Sequence, residues 1–224
     1  MMRLLALGLL GLAASTAAAA DPLIDLLAAN RGFACYDRVY DAAHLAKNPN
    51  QKTRTIRLLL TDDPAIGGTT MRVSIRGRDG DRHIVAGCEW NEAPHLDVLG
   101  KPYIDTYEAG AGLVCHAAAS SDGASAEEGG DFVAELRSAD RIVLHLPDGI
   151  AAWPSYDTAP EATFFDFGVD DRVFRVDRTA DRLCAEMAER LPAAGDIWGP
   201  ATDDDATPAG QSGAHAIPAM PVRP

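Results

Sequence analysis

Residues 69–90 read TTMRVSIRGRDGDRHIVAGCEW, two alternating runs on either side of Asp79-Gly80. An Asp-Gly pair suits the positive φ that a tight two-residue hairpin turn demands. Centring the turn on it sets Arg76 opposite His83, Ile75 opposite Ile84, Val73 opposite Ala86 and Met71 opposite Cys88. Met71, Val73, Ile75, Ile84, Ala86 and Cys88 then share one face, and Arg72, Ser74, Arg76, His83 and Val85 share the other. A one-residue slip would mix the two sets, so pattern and turn agree. The stretch reads as a half-buried antiparallel hairpin whose inward face ends in a cysteine.

Working outward, residues 53–61 (TRTIRLLLT) alternate in the same way, with Ile56, Leu58 and Leu60 on one side and Arg57 opposite. The matching pattern makes this run a neighbour of residues 71–76. Further strands are expected from Phe33 and Cys35 onward, around residues 113–117, and over 132–137, 141–146, 162–167 and 172–177, with turn residues between them. Gly168 and Asp170-Asp171 mark the turn before the last of these. Three short helices complete the reading. Asp21-Pro22 opens one that carries Leu23, Leu26 and Leu27 and stops at Gly32, and another runs from Asp41 to Lys47. Thr179 caps the third, TADRLCAEMAERL, with Leu183, Met187 and Leu191 in one stripe and Pro192 at its end. Many short strands and few helices argue a mainly β domain: an antiparallel β-sandwich or open barrel with short N-terminal and C-terminal helices.

The two ends differ from this middle. Arg3, the apolar run 4–12 and Ala18-Ala19-Ala20 form a secretory signal peptide over residues 1–20, with cleavage expected after Ala20. Residues 21–194 make one domain, and 195–224, rich in proline and glycine without periodicity, read as a disordered tail on which Ile197-Trp198 could still dock. Loss of Arg3 makes the mature chain more acidic than the formal −13 of the full sequence. That charge disfavours nucleic acid and anionic lipid as partners, leaving an unidentified protein or a small anionic solute. The expected location is periplasmic or secreted, without membrane insertion after cleavage.

An exported chain with four cysteines points to two disulfides. Cys88 and Cys115 both fall on inward strand faces, while Cys35 and Cys184 stand near the ends of the folded unit, so Cys88–Cys115 and Cys35–Cys184 are the expected pairs. No CxxC and no zinc-type spacing occurs, and no cofactor signature is present. The tripeptide Asp166-Phe167-Gly168, GQSG at 210–213 and Asp203-Asp204-Asp205 carry no supporting motif. Two weak ligand-binding candidates remain. Arg57, Arg72 and Arg76 would place three guanidiniums on one sheet face, able to fork onto carboxylate or phosphate or to pair with the chain's own acids. Asp41 and His44, three apart on a helical turn, would set a carboxylate beside an imidazole, or form an ordinary ion pair. His116 is expected opposite the core cysteine Cys115, facing solvent.

CYDRVYDAAHLAKNPNQKTRTIRLLL at 35–60, IRGRDG at 75–80, GLVC at 112–115 and DDRVFRVDR at 170–178 resemble a group of small exported proteins of Gram-negative bacteria whose function is uncharacterised. The resemblance implies export and a β-rich domain, and no activity. In that group an acidic, glycine-rich run follows the strand that ends in Cys115, whereas here His116-Ala117-Ala118-Ala119 carries no acids. The expectation is a non-catalytic binding or envelope-associated module. The alternative is a small hydrolase or lyase whose carboxylates meet only in the fold.

Overall fold

The computed structural model describes residues 22–91, 111–122, 128–147, 149–159 and 161–198. The expected signal peptide, the loop 92–110, the DDD and GQSG runs and the tail beyond 198 lie outside the described residues. The chain runs α1 (Pro22–Ala29), β1 (Phe33–Val39), α2 (Ala42–Lys47), β2 (Thr53–Asp63), β3 (Gly68–Gly77), β4 (Gly80–Asn91) and β5 (Gly112–Ala117). It continues through β6 (Asp131–Ser138), β7 (Arg141–His145), β8 (Gly149–Ala152), β9 (Thr163–Asp166), β10 (Val173–Arg178), α3 (Ala185–Arg190) and α4 (Ala194–Trp198).

Eight strands close into an antiparallel barrel in the order β1-β10-β7-β6-β5-β4-β3-β2. The architecture is therefore a closed barrel, not a sandwich or open barrel, because β1 pairs with β10 as well as with β2. Strand alternation fills the interior: Tyr36, Leu58, Val73, Ile84, Phe132 and Phe174 are all fully buried in one cluster, and Leu23, Leu26 and Leu27 of α1 join it. The Tyr36 hydroxyl donates to the Ala139 carbonyl at 2.9 Å, so even the polar tip inside has a partner. The inward positions are largely apolar, while Asp37, Arg57, Arg76 and Arg175 stand on the outer face.

The β3–β4 hairpin forms with its register two residues from expectation. Val73 pairs with Ile84, Arg76 with Asp81 and Gly77 with Gly80, so Arg78 and Asp79 are the central turn residues. Only Gly80 takes positive φ (+105°), and it does so after the turn, as in a type I turn followed by a glycine bulge. Shifting by two preserves parity, which is why the inward face is the expected one.

Two other expectations change. β8 (GIAA), too short to show alternation, pairs with β9 in a separate two-stranded sheet. The run from Thr179 is no single helix: a 3-10 turn at Asp181–Leu183 precedes α3, and Ala180 stands at the cap position without a side-chain bond. Thr179 is engaged elsewhere, its N–H on the Cys35 carbonyl and its own carbonyl on Arg178. The buried stripe is accordingly Cys184, Met187 and Leu191, with Leu183 only half-buried.

Residues 179–198 lie as a strap over the outer barrel face, where they build a second cluster with Cys35, Leu59, Val85 and Trp153. That is why Arg72 and Val85, on the hairpin's other face, are buried, while Trp153 and Tyr156 cover His83 on the same face. Burial lowers the His83 imidazole pKa, and its ring stacks on Tyr156 at 4.1 Å. Both expected disulfides form. Cys88 and Cys115 are directly opposite across β4 and β5, with Cα atoms 4.1 Å apart, and Cys35–Cys184 (5.9 Å) ties the strap to β1.

The strap stays on the barrel beyond the expected boundary at 194. Arg72 donates through Nε to the carbonyls of Leu191 (3.1 Å) and Pro192 (2.9 Å). Asp63, buried, accepts from Gly195 N at 2.9 Å and from Thr70, whose hydroxyl in turn accepts from Ala194 N. Trp198 lies flat on Gly87: a Cβ built there would fall 1.7 Å from its Cζ3. Gly87→Ala should therefore expel the indole, red-shift the tryptophan emission and cost about 1–3 kcal/mol in urea unfolding. An unchanged spectrum and midpoint would show that Trp198 does not rest there.

Candidate functional site at the barrel seam

Closure of the barrel is incomplete along one seam. β1 and β10 pair only at Tyr36↔Arg178 and Asp37↔Asp177, near one end of the barrel. From Arg38 onward the strands part, and β1 stays with β2, Val39 opposite Thr55. β10 stays with β7 down to Val173 opposite His145. The wedge between them is a cleft of about 310 Å³ lined by Arg38 and Tyr40, by His44, Asn48 and Gln51, and by Asp170, Val173 and Arg175. Its volume falls at the low end of small-molecule sites, which span roughly 300–1,000 Å³.

The far end of the wedge is held by Asp171. This buried carboxylate accepts from the backbone N–H groups of Lys52 (2.6 Å) and Thr53 (3.1 Å), tying the turn before β10 to the start of β2. Gln51 is buried beside it and donates from Nε2 to the Thr53 carbonyl at 3.1 Å. Its Oε1 is thus left to accept from His44 Nε2 (2.8 Å), which makes that ring nitrogen the donor of the pair. The His44 ring lies 4.7 Å from that of Tyr40, and the Arg38 guanidinium sits over the Tyr40 ring at 5.7 Å. Burial pushes the Tyr40 phenol up to about 12, with Arg38 pulling it partly back, so the hydroxyl stays protonated at any physiological pH.

Charge at the seam is unbalanced. Arg141 (2.9 Å), Arg175 (3.3 Å) and Arg38 (3.6 Å) all converge on the Asp177 carboxylate. The Arg141 hydrogen bond, with support from Arg175, holds the Asp177 carboxyl below the usual range. Three guanidiniums around one carboxylate concentrate positive charge at this end of the seam, while Asp170 and the buried Asp171 stand at the other.

The residues proposed from sequence take other places. Arg57 stands opposite Ser74 and Arg72 opposite Leu59, so the three arginines do share the outer face of β2 and β3. They reach no common cleft: Arg72 is buried on strap carbonyls, Arg57 faces Asp37 at 3.8 Å and Arg76 faces Asp81 at 3.6 Å. Asp41 caps α2, its Oδ1 accepting from His44 N at 2.7 Å, and does not touch the imidazole. His44 alone of that pair lines the seam cleft. His116 meets Asp131 at 2.8 Å on the barrel exterior. Among the described residues, no three His, Cys, Asp or Glu side chains are placed to hold a metal ion.

Comparison with known protein families, curated proteins and solved structures finds no match. The functional reading therefore rests on the geometry alone.

A second cleft, also about 310 Å³, opens at the other end of the barrel beneath α1. Leu23, Leu27 and Trp90 give it an apolar wall, and Asp62 and Glu89 both line it. A carboxylate-pair enzyme would have its acids here, because Asp170 is the single acid lining the seam cleft. Sequence reading missed Arg38, Tyr40, Asp170 and Arg175 of the seam. The alternation of Val173, Arg175 and Asp177 marks an outward-facing row, but nothing local marks β1 as its partner.

Proposed function

We propose that this chain is a non-catalytic binding module of the periplasm or secreted space that takes a small anionic solute at the β1–β10 seam. The observation that carries the reading is the convergence of three guanidiniums on Asp177, two of them, Arg38 and Arg175, lining an accessible cleft. Planar guanidinium forks suit carboxylates and phosphates, and clustered guanidiniums on an acidic surface concentrate field where the ligand must go. Two disulfides and no free cysteine among the described residues fit an oxidising compartment. The barrel interior is filled by side chains, which supports a site at the rim over one in a lumen.

Calorimetric titration with small carboxylates and inorganic phosphate at low salt tests this. Arg38→Ala and Arg175→Ala should each weaken binding by about tenfold or more, as expected for loss of a charge-assisted hydrogen bond. Arg76→Ala, whose partner is Asp81 and which does not line the cleft, should leave it unchanged. Binding that survives both seam substitutions would refute the reading.

A further inference from the structure

The seam cleft carries both signs of charge, and the structure keeps them apart. Arg38 and Arg175 reach toward Asp177, at the end where β1 and β10 still pair. Asp170 lies beyond Val173 in the turn that precedes β10, half-buried, and forms no hydrogen bond or ion pair among the described residues. The same cleft offers a further acceptor: Asn48 spends its Nδ2 on the His44 carbonyl (2.9 Å), leaving its side-chain oxygen open. The Tyr40 ring and Val173 supply apolar surface to the same cleft. Donors therefore gather at one end and acceptors, including a full negative charge, at the other.

A simple anion answers only half of this arrangement and is repelled by the other half. A solute with a carboxylate at one end and an ammonium at the other answers both. We infer that the seam cleft binds a zwitterionic, amino-acid-type solute, its carboxylate on Arg38 and Arg175 and its ammonium toward Asp170 and Asn48. The inference rests on the reading of the cleft as the binding site. It narrows the ligand from any small anion to one whose positive group is also recognised.

The test compares matched pairs by calorimetric titration: L-alanine against propanoate and 5-aminopentanoate against pentanoate, with inorganic phosphate as a third anion. In the wild type at least one zwitterion should bind about tenfold tighter than its matched anion. Asp170→Asn removes the charge without removing a hydrogen bond of the fold, and circular dichroism should confirm that it folds. It should abolish the preference while leaving anion binding equal or stronger. Arg38→Ala should weaken zwitterion and anion alike. If the anions bind as tightly as the zwitterions, or if Asp170→Asn leaves the ratio unchanged, the inference falls while the anion-binding reading stands. If none of the five compounds binds, both fall.

Discussion

Asp63→Ala is expected to release the C-terminal strap and to cost about 3–5 kcal/mol of stability. Asp63 is a buried carboxylate at the end of β2, and its oxygens accept from Thr70, Ala65 N and Gly195 N. Truncation removes all three acceptor contacts at once and strands the Gly195 N–H and the Thr70 hydroxyl in a site closed to water. Thr70 also receives Ala194 N, so the start of α4 loses its Gly195 anchor outright and the acceptor that orients the other. The strap should then peel from about Pro192 onward, carrying Ile197 and Trp198 off the face of β3 and β4. Three readouts should move together: a lower urea midpoint, red-shifted tryptophan emission and new protease cleavage between residues 191 and 198. Asp63→Asn keeps an acceptor oxygen but turns an amide NH₂ toward backbone donors, and its loss should be intermediate. An Asp63→Ala protein with native midpoint and emission would mean that α4 is held by packing alone.

The disulfides should separate by the size of the loop each closes and by what it holds. Cys35–Cys184 spans 149 residues and Cys88–Cys115 spans 27. In the chain-entropy account these correspond to stabilisation of about 5 and about 3.5 kcal/mol, as upper figures. Cys35→Ala/Cys184→Ala should give the larger drop in urea unfolding, with residues 179–198 becoming protease-sensitive first, because that bridge pins the strap to β1. Cys88→Ala/Cys115→Ala removes a link between strands already joined by the β4–β5 ladder, so the strap should stay protected. Equal losses with the same cleavage pattern would contradict this division of labour.

Alternation made much of the barrel legible. Met71, Val73 and Ile75 had to face inward together, and they do even though the hairpin register differs by two, since only an odd shift would reverse them. Cys88–Cys115 followed from the same parity, and Cys35–Cys184 from the closeness of the domain's two ends. What escaped was everything set by distant contacts. Closure depends on Tyr36 meeting Arg178, far along the chain, and no local pattern announces it. Arg72 reads as a solvated strand arginine until the carbonyls of Leu191 and Pro192 arrive to bury it. Thr179 has the chemistry of a helix cap, but its N–H is taken by Cys35, and the expected helix breaks into two pieces. The seam cleft was hidden for the same reason. Its walls, residues 38–51 and 170–175, were each readable as strand, turn or helix, but their meeting was not.

The barrel closes over only part of its last seam, and amide hydrogen exchange reads that seam directly. Along β10 the N–H groups alternate sides: Arg178 N donates across to Asp140 on the β7 side, so Asp177 and Arg175 point theirs toward β1. Asp177 still has Asp37 opposite, whereas at Arg175 the first strand has turned away. In the free protein the Asp177 amide should exchange slowly, with the core, and the Arg175 amide should exchange at close to the rate of an exposed loop. A solute bound in the cleft should slow Arg175 selectively. An Arg175 amide as protected as Asp177 in the free protein would mean that the seam is zipped, and the proposed site would not exist.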